Sequence, residues 1–313
     1  MARRKRAGSV HGVLVVDKPK GPTSHDVVQW IRRALRTRAV GHAGTLDPMA
    51  TGVLVAAIGE GTKLVRWLTA DDKRYRATVA LGAQTDTLDA DGEIVERVAA
   101  EGIDLPSARA AAERFVGTYV QRPPIYSAIK VDGERLHARA RRGEQVEVPE
   151  REVTVRSLEI LSASDAEIEL EVESAKGFYV RSLARDLARA LDTRGHLTAL
   201  RRTKSGAFGL EDAVSAELLR RAADDDEARV ELTAQLLSLP RACARMESVV
   251  LGADAVADAR HGRRVLAPSI PGAGVEPIAL FDEAGGLIAI ARSEGEHLRV
   301  IRGISPDAVS SPS

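Results

Sequence analysis

Near the start of the chain the apolar residues come in short unbroken runs. Residues 12–16 and 52–58 carry almost nothing polar, so each reads as a short buried strand. Between them, Thr23 or Ser24 can cap a helix over residues 25–35, with Asp26 favourably placed in its first turn. A glycine- and proline-bearing loop is expected over residues 41–51. Further on the pattern changes to alternation. Tyr75, Ala77, Val79 and Leu81 alternate with Arg74, Arg76 and Thr78, and Ile168, Leu170 and Val172 alternate with Glu167, Glu169, Glu171 and Glu173. A period of two predicts strands with one polar face. Residues 107–115 look helical, and Leu183, Leu187 and Leu191 at helical spacing predict a helix over 178–191. Shorter helices are expected from there to residue 237. A helix near 253–260 should precede two strands, around 278–281 and 287–291, joined by a turn at Gly285-Gly286.

Strands mixed with segregated helices predict an α+β fold. Pro240 marks a domain boundary, with a large domain over 1–239 and a small one over 240–313 that ends in a disordered tail. Residues 121–152 contain Pro123, Pro124 and many cations, have no clean period over 121–143, and read as an insertion. No apolar run is long enough to span a bilayer, and no apolar signal segment follows the basic start. A single cysteine, Cys243, excludes an intrachain disulfide framework and a cysteine-based zinc site. A cytoplasmic protein without a membrane partner is the expectation.

The formal net charge is zero, which alone argues against a nucleic-acid partner. The distribution changes that picture. Arg32, Arg33, Arg36 and Arg38 crowd one stretch, Arg135, Arg139, Arg141 and Arg142 a second, and Arg201, Arg202 and Lys204 a third. A neutral total can conceal a basic face; for any one cluster, a solvated helix surface explains the charges as well.

The run from Gly41 to Gly52 holds the candidate chemistry. Pro48 restricts Asp47 to extended backbone and so presents its carboxylate from a loop, while the glycines allow close approach of a ligand. On these residues alone, a tight turn with Asp47 as turn former is the simpler account.

One motif and six further blocks in order resolve the ambiguity. Residues 41–54 resemble the catalytic motif of the TruB family, the tRNA pseudouridine-55 synthases. Before them, Gly12-Val13-Leu14, Asp17-Lys18-Pro19 and residues 21–26 are similar to that family's N-terminal block. After them come Lys73-Arg74-Tyr75, Leu81-Gly82 with Thr85-Asp86-Thr87 and Asp89, and Gln121 with Pro123-Pro124 and residues 126–130. Residues 176–183 and Leu200-Arg201-Arg202-Thr203 complete the series.

The resemblance implies a pseudouridine synthase fold, mainly an antiparallel sheet flanked by helices, with a PUA-like C-terminal domain. It implies that Asp47 is the essential carboxylate, that Tyr75 stacks on a flipped uridine, and that Arg181 pairs with Asp47. His42 would fill space in the T loop, and Leu200 would pack on the base or on Tyr75. Tyr179, Lys18, Arg201, Arg202, Arg141 and Arg142 are the further candidate substrate contacts. The implied partner is the T arm of tRNA; the implied state is a monomer without a metal or organic cofactor. His137 stands where the family usually has tyrosine, within the insertion.

These roles agree with elementary chemistry. Pseudouridine formation breaks the C1′–N1 bond, turns the uracil, and joins C1′ to C5. A stacked base is out of reach, so it must be extruded, and an aromatic ring is a suitable receiver. A nearby guanidinium favours the ionised carboxylate that the reaction needs. Two other classes fit part of the pattern. An RNA-binding or RNA-folding protein without catalysis would explain the basic clusters. A nucleoside hydrolase would also break the glycosidic bond, but would want an activated water, often with paired acids.

Overall fold

The computed structural model describes residues 10–127, 130–131, 134–135, 148–266, 272 and 274–308. It divides into two compact units. The first comprises Met1–Leu46, Val53–Thr69 and Gly206–Ser313; the second comprises Asp47–Gly52 and Ala70–Ser205. The boundary expected at Pro240 falls inside the first unit. Among the described residues no helix is long and apolar enough to cross a membrane.

In the first unit, strand β1 (Gly12–Lys18) lies between β3 (Thr51–Ile58) and the short strand Ala213–Ser215, to which it runs parallel. β2 (Val40–His42) pairs antiparallel with β3, His42 facing Ala56. Val53 to Ile58 are all buried, which is why this stretch reads as a continuous apolar run rather than an alternation. Helix α1 (Ser24–Ala34) starts at Thr23, whose side chain accepts from the Asp26 amide at 3.1 Å while Asp26 accepts from the Thr23 amide at 2.8 Å. This reciprocal cap satisfies two amides that the helix itself cannot. Val27, Val28, Ile31 and Ala34 form its buried face.

A second sheet closes this unit. Its order is Glu247–Leu251, Ile278–Asp282, Leu287–Glu294, His297–Gly303, Arg264–Val265, all antiparallel after the first, parallel pair. Val13, Val15, Val53 and Val55 share one apolar cluster with Leu239, Cys243, Ala279 and Ile290, so both sheets of the unit rest on common core. Burial pushes the Cys243 thiol up to about 12, which makes it an inert packing group.

The second unit is built on an antiparallel sheet ordered Gly195–Ser205, β4 (Lys73–Leu81), Glu167–Ser174, Arg151–Ala163, Gly117–Gln121. Ile168, Leu170 and Val172 are fully buried, while Glu173 and Glu169 on the other face pair across to Arg74 and Arg76 at 2.6 and 3.0 Å. Thr51-Gly52 pairs parallel with Arg201-Arg202.

Several elements differ from the sequence expectation. Where short helices were expected after residue 191, an eleven-residue strand, Gly195–Ser205, intervenes. Register shifts between Leu197 and Ala199, and between Arg202 and Lys204, break its alternation, and a buried Arg202 occupies an inward position. The helix expected over 107–115 starts two residues earlier, at Leu105, because Asp104 and Ser107 cap it reciprocally with Pro106 in its first turn. It ends at Ala112 and tightens into a 3-10 turn over Glu113–Phe115. The helix expected over 178–191 is Val180–Ala190, with Tyr179 as its N-cap residue.

Candidate active site

Asp47 is held in place because its flanks are pinned. On the upstream side, the buried Ser24 hydroxyl donates to the Leu46 carbonyl at 3.0 Å and accepts from the Leu46 amide at 2.8 Å. On the downstream side, the Asp47 carbonyl accepts from the Ala50 amide at 3.1 Å, which closes a turn over Pro48 and Met49. Gly52 then enters the sheet at φ 98°, a left-handed value that glycine adopts without strain. A Cβ built there would lie well inside contact distance of the Arg202 carbonyl oxygen. Gly52→Ala is therefore expected to lose roughly 3 kcal/mol of stability or more by overpacking and backbone strain. Chemical denaturation checks this; a loss below about 1 kcal/mol would show that the Arg202 backbone yields.

The carboxylate of Asp47 is 33% exposed and meets Arg181 Nε at 3.0 Å. Arg181 is itself only 6% exposed. Both of its remaining nitrogens are engaged. Nη1 reaches Asp89 Oδ2 at 3.3 Å and donates to the Thr87 carbonyl at 3.1 Å; Nη2 donates to the Tyr126 carbonyl at 3.1 Å. Asp89, 5% exposed, is held in turn by the Thr87 hydroxyl at 2.6 Å and the Asp91 amide at 3.2 Å. One guanidinium thus sits between two carboxylates, of which only Asp47 opens to solvent. A planar five-donor fork suits this bridging, and a lysine ammonium would not.

The helix that carries Arg181 is aimed by Gln121. The fully buried Gln121 amide accepts from the Tyr179 backbone N–H at 3.0 Å and donates to the Tyr179 carbonyl at 3.2 Å. That clamp fixes the extended residue from which the helix starts. The half-buried Tyr179 ring lies 6.0 Å from the Arg151 guanidinium, and burial raises its hydroxyl above the ordinary tyrosine range.

Among the other expected residues, Tyr75 is half-buried on β4, where it faces Val172 on one neighbouring strand and Arg202 on the other. Leu200 is buried opposite Ala77. Arg201 is partly exposed and donates to the Thr51 hydroxyl at 3.4 Å. Arg202 is 1% exposed, an interior residue in this structure. His42 and Lys18 belong to the first unit; Lys18 is fully buried, with Nζ donating to the Pro19 carbonyl at 2.9 Å. Arg141, Arg142 and His137 lie outside the described residues. Sequence reasoning missed Asp89, Ser24 and Gln121 as site-building residues. All three stand within the quoted blocks, but each is a polar residue whose bracing role composition and spacing do not show.

On the same strand as Tyr75, burial and the neighbouring charge of Arg202 push the Lys73 ammonium down to about 8. Its Nζ donates to the Asp71 carbonyl at 2.5 Å. A lysine whose folded value lies below its unfolded one binds fewer protons in the native state. The Lys73 contribution to stability should therefore rise with pH between about 8 and the unfolded lysine value near 10.4, while the buried Cys243 thiol acts in the opposite sense in wild type and variant alike. The urea midpoint of the wild type minus that of Lys73→Met should grow across that window; parallel curves would refute the shift.

The second unit thus presents an aspartate, held by a buried guanidinium, from a loop beside an antiparallel sheet. The chain belongs to the TruB family. Residues 32–180 match the TruB family pseudouridylate synthase N-terminal domain, and residues 181–248 match the tRNA pseudouridylate synthase B C-terminal domain. A tRNA pseudouridine synthase B of Corynebacterium diphtheriae is 42% identical over 298 residues, covering 93% of this chain and 95% of that protein. A Mycobacterium tuberculosis protein of the same name is 41% identical over 304 residues, covering 94% and 96%. Among solved structures, a chain of a Cbf5-Nop10-Gar1 complex superposes with a TM-score of 0.75 at 24% identity, covering 99% of this chain and 92% of that one. That likeness supports the expected fold, including the small C-terminal sheet.

Proposed function

We propose that this protein isomerises a uridine in the T loop of tRNA to pseudouridine, with Asp47 as the reacting carboxylate. The observation that carries the reading is the 3.0 Å pairing of a solvent-open Asp47 with a buried Arg181, which a second carboxylate holds from behind. A protein that only binds RNA gains nothing from an acid presented toward phosphates. The relatives' shared name supplies the substrate class.

In this reading the uridine leaves its stack and rests on the Tyr75 ring, with Leu200 packing nearby. Asp47 lends an electron pair, to a carbon or to a proton of the nucleoside, and takes it back before the product forms, while Arg181 pairs with it and aims it. The C1′–N1 bond breaks, the uracil turns, C1′ joins C5, and the C5 proton is lost while N1 gains one. Atoms balance without a metal, redox partner or water. Tyr179 and His42 border the RNA, and Arg201, Arg141 and Arg142 contact phosphates. Interior packing is the role that burial supports for Lys18 and Arg202. Residues from 240 onward act as a PUA-like accessory domain, and the enzyme works as a cytoplasmic monomer.

The test is incubation with an unmodified tRNA transcript, followed by mapping of pseudouridine. One new pseudouridine in the T loop, without release of free uracil, is expected. Free uracil would indicate a hydrolase, and unchanged RNA with tight binding would indicate a non-catalytic RNA protein.

A further inference from the structure

The arginines at the end of α1 take no part in the site described above. Gln29, Arg32, Arg33, Arg36, Thr37 and Arg38 line an open hollow of about 640 Å³ in the first unit. Arg33, Arg36 and Arg38 are exposed. Neither Arg33 nor Arg38 makes an ion pair among the described residues. Arg36 meets Asp226 at 3.4 Å, but both side chains are largely in solvent, and Asp226 also pairs with Arg229. Such a pair offsets little charge. The Nε of Arg32 is buried without a hydrogen-bond partner, although its Nη2 donates to the Val40 carbonyl at 3.0 Å.

Cations do suit the negative end of a helix, and that alone would explain one or two of them. Here, however, the helix closes on itself. The Arg36 amide donates to the Arg33 carbonyl and the Thr37 amide to the Arg32 carbonyl, the two bonds of a Schellman ending. The residue that such an ending places in the left-handed region is commonly glycine. This chain has Arg36 there, at φ 49°. Backbone strain is thus retained together with four like charges within seven residues; both cost stability, and the charge repulsion is what a bound anion would offset.

We infer that this hollow is a second contact for the RNA backbone, in which the guanidinium forks of Arg33, Arg36 and Arg38 hold phosphates away from the reacting uridine. The fork geometry fits phosphate oxygens, and the open hollow with exposed cations fits a continuous polyanion better than a single carboxylate. The inference rests on the RNA-modifying function proposed above and adds a contact to it.

Two variants test it, with an unmodified tRNA transcript as the probe and affinity measured across a salt series. Arg33→Glu/Arg38→Glu changes only exposed side chains. It should weaken binding at least tenfold near physiological salt and shallow the log–log salt slope by roughly 0.7–0.9 per lost contact. Arg36→Gly should melt at a higher temperature than wild type, because glycine relieves the strain, and yet bind tRNA several-fold more weakly. That opposition separates a contact from a folding effect. Unchanged affinity and slope in the double variant would overturn the inference, as would an Arg36→Gly protein that binds like wild type. Pseudouridine formation by the wild type is scored separately. A wild type that modifies tRNA beside an unaffected double variant refutes the hollow alone. A wild type that binds but does not modify, beside a weakened double variant, refutes the function and keeps the hollow.

Discussion

Asp47→Asn protein is expected to bind a T-arm RNA nearly as well as wild type and to form no detectable pseudouridine. The substitution keeps the shape of the side chain and its place in the turn closed by Ala50. It removes the charge that faces Arg181 and, on the function proposed, the lone-pair donor of the isomerisation. Loss of a positioned general base alone removes about 10²–10⁴ in rate, and loss of a covalent nucleophile removes the pathway. Single-turnover assays at saturating RNA give the rate, and a binding isotherm gives the affinity. Affinity should hold because the bulk of RNA binding comes from phosphate contacts and base stacking. If the Asp47 loop faces RNA as proposed, removing its anion should if anything tighten binding. Turnover within tenfold of wild type would end the assignment of Asp47. A collapse of binding with intact folding would instead make the carboxylate a positioning group.

What could be read from the sequence follows the regularity of each signal. The strands at 75–81 and 167–173 announced themselves because an uninterrupted alternation survives in them, with Ile168, Leu170 and Val172 fully buried. Arg151–Ala163 and Gly195–Ser205 did not, since each carries two register shifts that move the inward positions out of phase. In the latter the buried Arg202 also stands where a pattern reader wants an apolar residue. Asp47 was legible through its motif, not through its chemistry, which fits a turn former equally well. The Arg181–Asp47 pair was expected from the same resemblance. Asp89 as the third member was not, because nothing local to residue 89 shows that its carboxylate ends beside a helix almost a hundred residues later. Ser24 and Gln121 went unread for the same reason: a side chain that braces someone else's backbone leaves no periodic trace.

Arg181→Met should cost more stability than any other substitution in the site. The variant keeps much of the volume but deletes the cation that two carboxylates share, and it frees the Thr87 and Tyr126 carbonyls. Breaking a buried ion pair from one side costs about 3–5 kcal/mol, because the other charge stays behind uncompensated. Asp47, partly open to water, can recover some hydration; Asp89, 5% exposed, cannot. The stranded charge is therefore chiefly Asp89. Neutralising it as well should return part of the loss, so that Arg181→Met/Asp89→Asn is more stable than Arg181→Met by about 1–3 kcal/mol. Activity should behave in the opposite way. The double variant should regain fold but not rate, since Asp47 still lacks the guanidinium that pairs with it, and kcat should stay at least a hundredfold below wild type, about the loss from a missing catalytic charge partner. Urea unfolding of the four proteins in the cycle gives the coupling, and single-turnover assays give the rate. Additive stability losses would show that Asp89 does not depend on Arg181. A double variant that recovers both fold and rate would show that Arg181 acts on Asp47 only by keeping the protein folded.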